Sequence, residues 1–214
     1  MYITKMITQI EELDKKRCKI YMNHKPAFAL YKGEVTQYKL REEEVINESV
    51  YDEIMKQVLP LRAKKRCLNL LQKRPYTEWK LREKLNEGFY PQEIIDEAIE
   101  YMKSFHYIDD YDYASQYVFY HKDSESRKKM EEKLLIKGID KEILKRVFTD
   151  SYQDEEEMQE LELQQAKKFL EKKGYDTQVM DWKEKQKIFA YLLRKGLNTS
   201  VVKEAMRLHE ETII

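Results

Sequence analysis

Glycine and proline are scarce in this chain, at five and four in 214 residues. Sandwiches and barrels need many turns built on those residues, so the shortage argues for a mostly helical body. Cysteine is nearly missing: Cys18 and Cys67 stand far apart and form no CxxC pair. They suit a reducing compartment, as small buried hydrophobes. Long apolar runs are missing too. No stretch of 18 apolar residues occurs, and the opening MYITKMITQIEEL has no signal-peptide core. A soluble cytoplasmic protein without membrane contact is expected. Net charge is also absent, with 40 basic residues against 40 acidic. That speaks against a simple polyelectrolyte coat on DNA, which binds by neutralising phosphates, but leaves a local basic face open. Charged residues reach 37%, yet 42% hydrophobic content still supports a folded core.

Recognisable catalytic signatures are lacking as well. The isolated glycines make no GxGxxG or Walker loop, and there is no GxSxG elbow. His24, His106, His121 and His209 are scattered without zinc-ligand spacing. One tract concentrates acidic and aromatic side chains: FHYIDDYDYASQYVFY, Phe105–Tyr120, with Asp109, Asp110 and Asp112 close to His106. A metal would need ligands converging from several segments. The favoured reading is a helix junction, with Asp109 and Asp110 capping a new helix and Tyr113, Ala114, Tyr117 and Val118 forming a core-facing stripe. Partner binding through the tyrosines is the other reading. No enzyme activity, cofactor or metal is expected.

Two grammars divide what is present. Residues 1–60 read as a small strand-rich module ending in a helix. In Arg17–Asn23, Cys18, Ile20 and Met22 alternate with Arg17, Lys19 and Tyr21, the period of a half-buried strand. The segment Met1–Gln9 also reads as a strand. A turn NHKP follows at Asn23–Pro26, then Ala27–Tyr31 sets Phe28 and Leu30 on one face. Gly33 should break the next segment. So small a sheet must pack on something. The expected partner is a helix over Glu48–Leu59, closed by Pro60.

From Leu61 the period becomes helical. Four of the five glycines follow charged helical runs: Gly88, Gly138, Gly174 and Gly196. That is where a helix ends in a left-handed residue. Three of them anchor a repeat, with copies at Lys80–Met102, Lys129–Phe148 and Lys187–Met206. Aligned on glycine, Leu85, Leu135 and Leu193 share a position, and Phe89, Ile139 and Leu197 follow. Pro91 should open the second helix of the first copy, and Asp140 and Asn198 should cap the other two. Apolar pairs then recur four residues apart, such as Ile94/Ile95 with Ala98/Ile99. The first copy carries one extra turn residue. With a preceding helix at about Arg62–Lys73, Asp112–His121 and Glu155–Lys173, each copy is a three-helix repeat. The expectation is a mainly α protein: three tandem repeats over 61–109, 110–152 and 153–214, stacked into an elongated array.

Charge is uneven along that array. Arg62–Lys84 carries nine cations against Glu78 and Glu83, with Tyr76 and Trp79 interleaved. It could face a phosphate backbone or an acidic protein groove. The acidic run at Asp154–Glu162 reads as a solvated helix start. A transcription-factor reading is disfavoured, because QEIIDEAIEYMK, the would-be recognition helix of the first repeat, is acidic and phosphates would repel it.

The repeats, together with RPYTEWKLREKL (Arg74–Leu85) before Gly88 and YIDDYDYA (Tyr107–Ala114), resemble the RecX family, bacterial regulators of the RecA recombinase. The likeness covers about Leu61–Leu208. Thr77 and Lys84-Leu85 match the family pattern, while Lys80-Leu81 stands where Glu-Leu is usual. The strand-rich start resembles the extension of longer members. A monomer is expected, and the resemblance implies a non-enzyme that lies in the groove of the RecA–DNA filament. There it would modulate, mostly inhibit, ATP hydrolysis, strand exchange and co-protease activity in recombination, DNA repair and the SOS response. Direct binding of single- or double-stranded DNA would fall to the basic first repeat. The expected contacts are Lys65, Arg66, Arg74, Arg82 and Lys84, and joint charge reversal of Arg82 and Lys84 should weaken filament binding without unfolding the chain. The alternative is a nucleic-acid-binding helical-repeat module acting without RecA.

Overall fold

The computed structural model describes residues 5–152, 154–176 and 178–212, with side chains up to Arg207 in the last helix. The chain divides into two compact units, one ending at Asp109 and the other starting at Asp110.

The first unit opens with an antiparallel sheet of β1 (Met6–Glu12), β2 (Arg17–Met22), β3 (Lys25–Tyr31) and β4 (Glu44–Val45), in the order β3-β2-β1-β4. The residues 1–4 expected to begin a strand lie outside the described residues. The alternation in β2 places Cys18 and Ile20 inward, beside Ile7, Phe28 and Leu30, all buried. The β2–β3 turn is two residues, not four. Asn23 and His24 take φ of 49° and 63°, the left-handed pair that matches strand twist in a tight hairpin. Pro26 therefore lies within β3, an edge strand, where a missing N–H is tolerated. Gly33 does not break the chain; it sits in the first turn of α1 (Lys32–Gln37).

The next helix also differs from expectation. α2 (Glu48–Glu53), capped by the Asn47 side chain, passes through a π turn at Ile54–Val58 directly into α3 (Leu59–Leu71). Pro60 is buried near the start of α3 and closes nothing. The wider π turn, with Leu59 N–H bonded to the Ile54 carbonyl, lets the helix run past a residue that has no N–H of its own. α4 (Glu78–Asn86) starts at Thr77, whose hydroxyl accepts from Lys80 N–H, and α5 (Gln92–Ser104) follows. One apolar core unites the inner sheet face with Ile54, Leu59, Ala63, Cys67, Leu81, Leu85, Ile95 and Ile99. The sheet thus packs on the whole first repeat, beyond the single helix expected. Both cysteines are buried, and burial pushes the Cys67 thiol up to about 11.

The second unit holds α6 (Asp110–His121), α7 (Arg127–Ile136) and α8 (Lys141–Ser151), then α9 (Glu155–Lys172), α10 (Trp182–Arg194) and α11 (Thr199–Thr212). These two repeats keep distinct apolar cores, one around Val118, Met130, Leu134 and Val147, the other around Leu170, Leu192, Val202 and Ala205. Polar bonds join them at the start of α7. Ser126 Oγ donates to the Lys195 carbonyl at 3.0 Å. The Gln165 amide donates to the Lys122 carbonyl at 2.6 Å, and Glu162 accepts from Arg127 N–H at 3.2 Å. Gly196 (φ 87°) fits the joint closely: a Cβ there would come within 2.5 Å of Ser126 Oγ.

The repeat register is set by backbone conformation rather than by glycine. Gly138 and Gly196 are left-handed, but in the first copy Phe89 takes that role, at φ 58°. Gly88 is needed for space instead, since a Cβ would meet the Tyr90 ring at 2.8 Å. Aligned on the left-handed residue, Leu85, Leu134 and Leu192 coincide, and all three are fully buried. Each accepts the helix-closing bond, from Tyr90, Ile139 and Leu197 N–H respectively. Leu135 is only half-buried and Leu193 is 36% exposed, so they are not the equivalents of Leu85. Pro91, Asp140 and Asn198 then fall in register immediately before α5, α8 and α11. The apparent extra residue of the first copy disappears. Pro91 is the cap itself (φ −58°, ψ 149°) rather than the first helical residue, and Asp140 caps α8 by accepting from Glu142 N–H at 2.8 Å.

Candidate functional site: a basic cleft in the first unit

The aspartate tract is a helix start. Asp110 and Asp112 occupy the first turn of α6, where negative charge suits the dipole. His106 is the left-handed residue (φ 54°) that ends α5; its N–H reaches the Lys103 carbonyl, and Tyr107 N–H reaches that of Met102. Ala114 and Val118 are buried, and Tyr113 and Tyr117 pack against the same core. Among the described residues no three His, Cys, Asp or Glu side chains are placed to hold a metal ion. The exposed rings of this helix are Phe119 and Tyr120, at 68% and 75%, rather than the stripe tyrosines.

The basic segment separates into paired and unpaired cations. Arg82 on α4 donates from Nε to Glu78 at 2.8 Å and from Nη1 to Asp96 of α5 at 2.5 Å. Lys103 joins the same network at Glu78, at 2.5 Å. Burial pushes the Glu78 carboxyl up, but bonds from Lys103 and Arg82 outweigh it and hold it below the ordinary range. This network clasps α4 to α5. Lys84 pairs with Glu87 at 2.6 Å. Arg74 lies in the turn after α3 with its guanidinium 4.8 Å from the Tyr76 ring centre. Lys65 and Arg66 are exposed on α3, and among the described residues neither makes an ion pair with a carboxylate.

Of those five, the fold brings Arg66 and Lys84 into one concavity of about 470 Å³, along with Arg62, Lys16 and Arg17. Lys65, Arg74 and Arg82 do not line it. Asp14 and Glu87 are its carboxylates, and Tyr31 and Tyr90 form part of its wall. Arg62 is fixed by an ion pair with Glu34 and by the Tyr31 ring, 4.6 Å away. Arg17 is fixed by Asp14, Nε to Oδ2 at 2.8 Å. The Asp14 carboxyl also accepts from Lys16 and Arg17 N–H, and these bonds, the Lys16 one foremost, hold it below the usual carboxylate range.

Lys16 and Arg17 escape a sequence reading of the site because they sit at the end of a hairpin turn and the start of β2 in the strand-rich module. The visible signal is DKKRC, Asp14–Cys18: three successive cations running from the β1–β2 turn into the first residue of β2. Nothing in the sequence aims that turn at α3. The sheet does so by packing its inner face on the first repeat.

Sheet plus three-helix repeats define a helical-repeat protein of mixed N-terminal build. Residues 63–102 match the family model of the RecX first three-helix domain, and residues 160–206 match that of the RecX third three-helix domain. A regulatory protein RecX of Clostridium perfringens is 27% identical over 191 residues, covering 89% of this chain and 88% of that protein. The regulatory protein RecX of Finegoldia magna is 29% identical over 209 residues, covering 93% and 97%. A crystal structure of a regulatory protein RecX matches 94% of this chain and 100% of its own with a TM-score of 0.60 at 24% identity. RecX from Lactobacillus salivarius matches 70% of this chain and 96% of its own with a TM-score of 0.58 at 22% identity. Those two likenesses speak to the fold. The two domain matches and the relatives that align over most of the chain support a RecX family protein. Its relatives are named as regulators, and among the described residues no helix is long and apolar enough to cross a membrane.

Proposed function

We propose that this protein regulates the RecA recombinase by lying in the groove of the RecA–DNA filament and restraining ATP hydrolysis and strand exchange. It does so in the cytoplasm, as a monomer and without chemistry of its own. The observation that supports this most is the match of both a first and a third RecX domain, alongside alignment of 89% of the chain to a regulatory protein RecX. Tandem repeats suit a helical groove because several weak contacts along one chain add up to strong binding. The contact set is Lys65, Arg66, Arg74, Arg82 and Lys84, with Lys65 and Arg66 the best placed because they are exposed and unpaired with carboxylates among the described residues.

The test is RecA's DNA-dependent ATP hydrolysis, with this protein titrated into filaments preformed on single-stranded DNA. Substoichiometric loss of activity is the expected result, weakened by joint reversal of Lys65 and Arg66 to glutamate. Reversal of Arg82 is a poorer test than its sequence position suggests, because it would set a third carboxylate between Glu78 and Asp96. Undiminished hydrolysis at protein excess would refute the proposal. The basic cleft keeps a second reading in view, a nucleic-acid module acting without RecA. In that case binding to bare DNA would be tight and would collapse steeply with salt.

A further inference from the structure

The cleft gathers five cations from three separate stretches of a chain with no net charge: the β1–β2 turn with the first residue of β2, α3, and the end of α4. Bringing like charges into one concavity costs Coulomb energy, and nothing in the core demands it. Among the described residues two carboxylates, Asp14 and Glu87, line the same space. The cations also divide by role. Arg17, Arg62 and Lys84 are held in place by Asp14, Glu34 and Glu87. Lys16 and Arg66, brought together from a hairpin turn and a helix, make no ion pair with a carboxylate among the described residues. Helix-end electrostatics explains Lys84, near the C-terminus of α4, but not the cations of the turn or of α3. A concave wall focuses the field of such a set on an incoming anion.

We propose that this cleft is a phosphate-binding site, half of it built by the N-terminal sheet, and that it holds the backbone phosphates of a nucleic-acid strand. Arg62 and Arg17 supply pre-oriented guanidinium groups, the side chain best suited to phosphate oxygens. Lys16 and Arg66 supply the uncompensated charge. The sheet is therefore a working wall of the site and not only a lid on the first repeat. The mouth is open to solvent, so a strand can pass through it with its bases outside, and binding should be indifferent to sequence.

The test uses the full chain without RecA, so its result is independent of the filament reading. Binding of a labelled oligothymidine and of a labelled duplex is followed by fluorescence anisotropy across a salt series. The joint variant Lys16→Glu, Arg66→Glu should weaken binding about tenfold or more and flatten the salt slope by roughly one to two, as expected for one or two lost phosphate contacts. Circular dichroism checks that it folds. A charge-matched pair outside the cleft, Lys25→Glu with Lys128→Glu, should change binding much less. Equal loss in both pairs would reduce the effect to overall charge and overturn the site. Unchanged binding in the cleft pair would overturn it as well. Competition by inorganic phosphate or thymidine monophosphate as effective, phosphate for phosphate, as the oligonucleotide would overturn the strand assignment in favour of a free-phosphate site.

Discussion

Replacing Glu162 with glutamine should stabilise the protein, and should do so more at pH 8 than at pH 4. Glu162 lies on α9 at the joint between the second and third repeats and is 5% exposed. One carboxyl oxygen accepts from Arg127 N–H at 3.2 Å, while Oε2 is buried with no hydrogen-bond partner. Gln165, one turn along the same helix, has its own Oε1 buried and unpartnered. Burial pushes the Glu162 carboxyl above the usual range, only partly opposed by the Arg127 N–H bond and charge. Below about pH 3 the carboxyl is essentially protonated in folded and unfolded chains alike, and its full contribution is present. As the pH rises, the unfolded chain ionises first. Stability is lost until the raised folded value is passed. Glutamine cannot ionise, keeps an acceptor for Arg127 N–H, and brings donors to a place with two unpartnered oxygens. An unsatisfied buried polar atom costs about 1–3 kcal/mol, so the gain at pH 8 should approach that size. For a chain of this length it corresponds to roughly 2–4 °C in Tm per kcal/mol. Urea unfolding of both proteins at several pH values measures it. Subtraction cancels the carboxylates whose values shift the other way, such as Glu78 and Asp96. A difference that does not change with pH, or a variant less stable than its parent at pH 8, would refute the reasoning.

Two further expectations follow from the repeat register. Leu134→Ala should cost about 2–5 kcal/mol in equilibrium unfolding, because the side chain is fully buried, whereas Leu135→Ala should cost far less. Equal costs would show that the glycine-based alignment was the physical one after all. Phe89→Gly should raise stability by up to about 1 kcal/mol, since it relieves a left-handed phenylalanine. The gain is trimmed by loss of the Lys19 ammonium lying 4.5 Å from the ring centre. A clear destabilisation on thermal melting would mean that the ring matters more than the backbone.

What the sequence disclosed and what it hid differ in physical kind. Periodicity is local: it located the alternating β2, the amphipathic helices and the three recurrent turns, because each arises from the spacing of apolar residues along one element. Conformation at a single residue is not periodic. Glycine is the common left-handed residue but not the required one, so Gly88 drew the alignment one position away from Phe89 and, with it, away from Leu134 and Leu192. Pro60 misled in the same way. A proline usually ends a helix, but a π turn just before it removes the reason. The cleft was half legible. Arg62, Arg66 and Lys84 stood in a visibly basic segment, yet Arg82, equally basic on paper, is tied up in holding α4 to α5. Lys16 and Arg17 could not be placed beside α3 by any local rule, because only long-range packing of the sheet brings them there. A cation's availability depends on which carboxylate the fold sets beside it, and that is a property of tertiary structure. This is why the charge-reversal test moves from Arg82 and Lys84 to Lys16, Lys65 and Arg66.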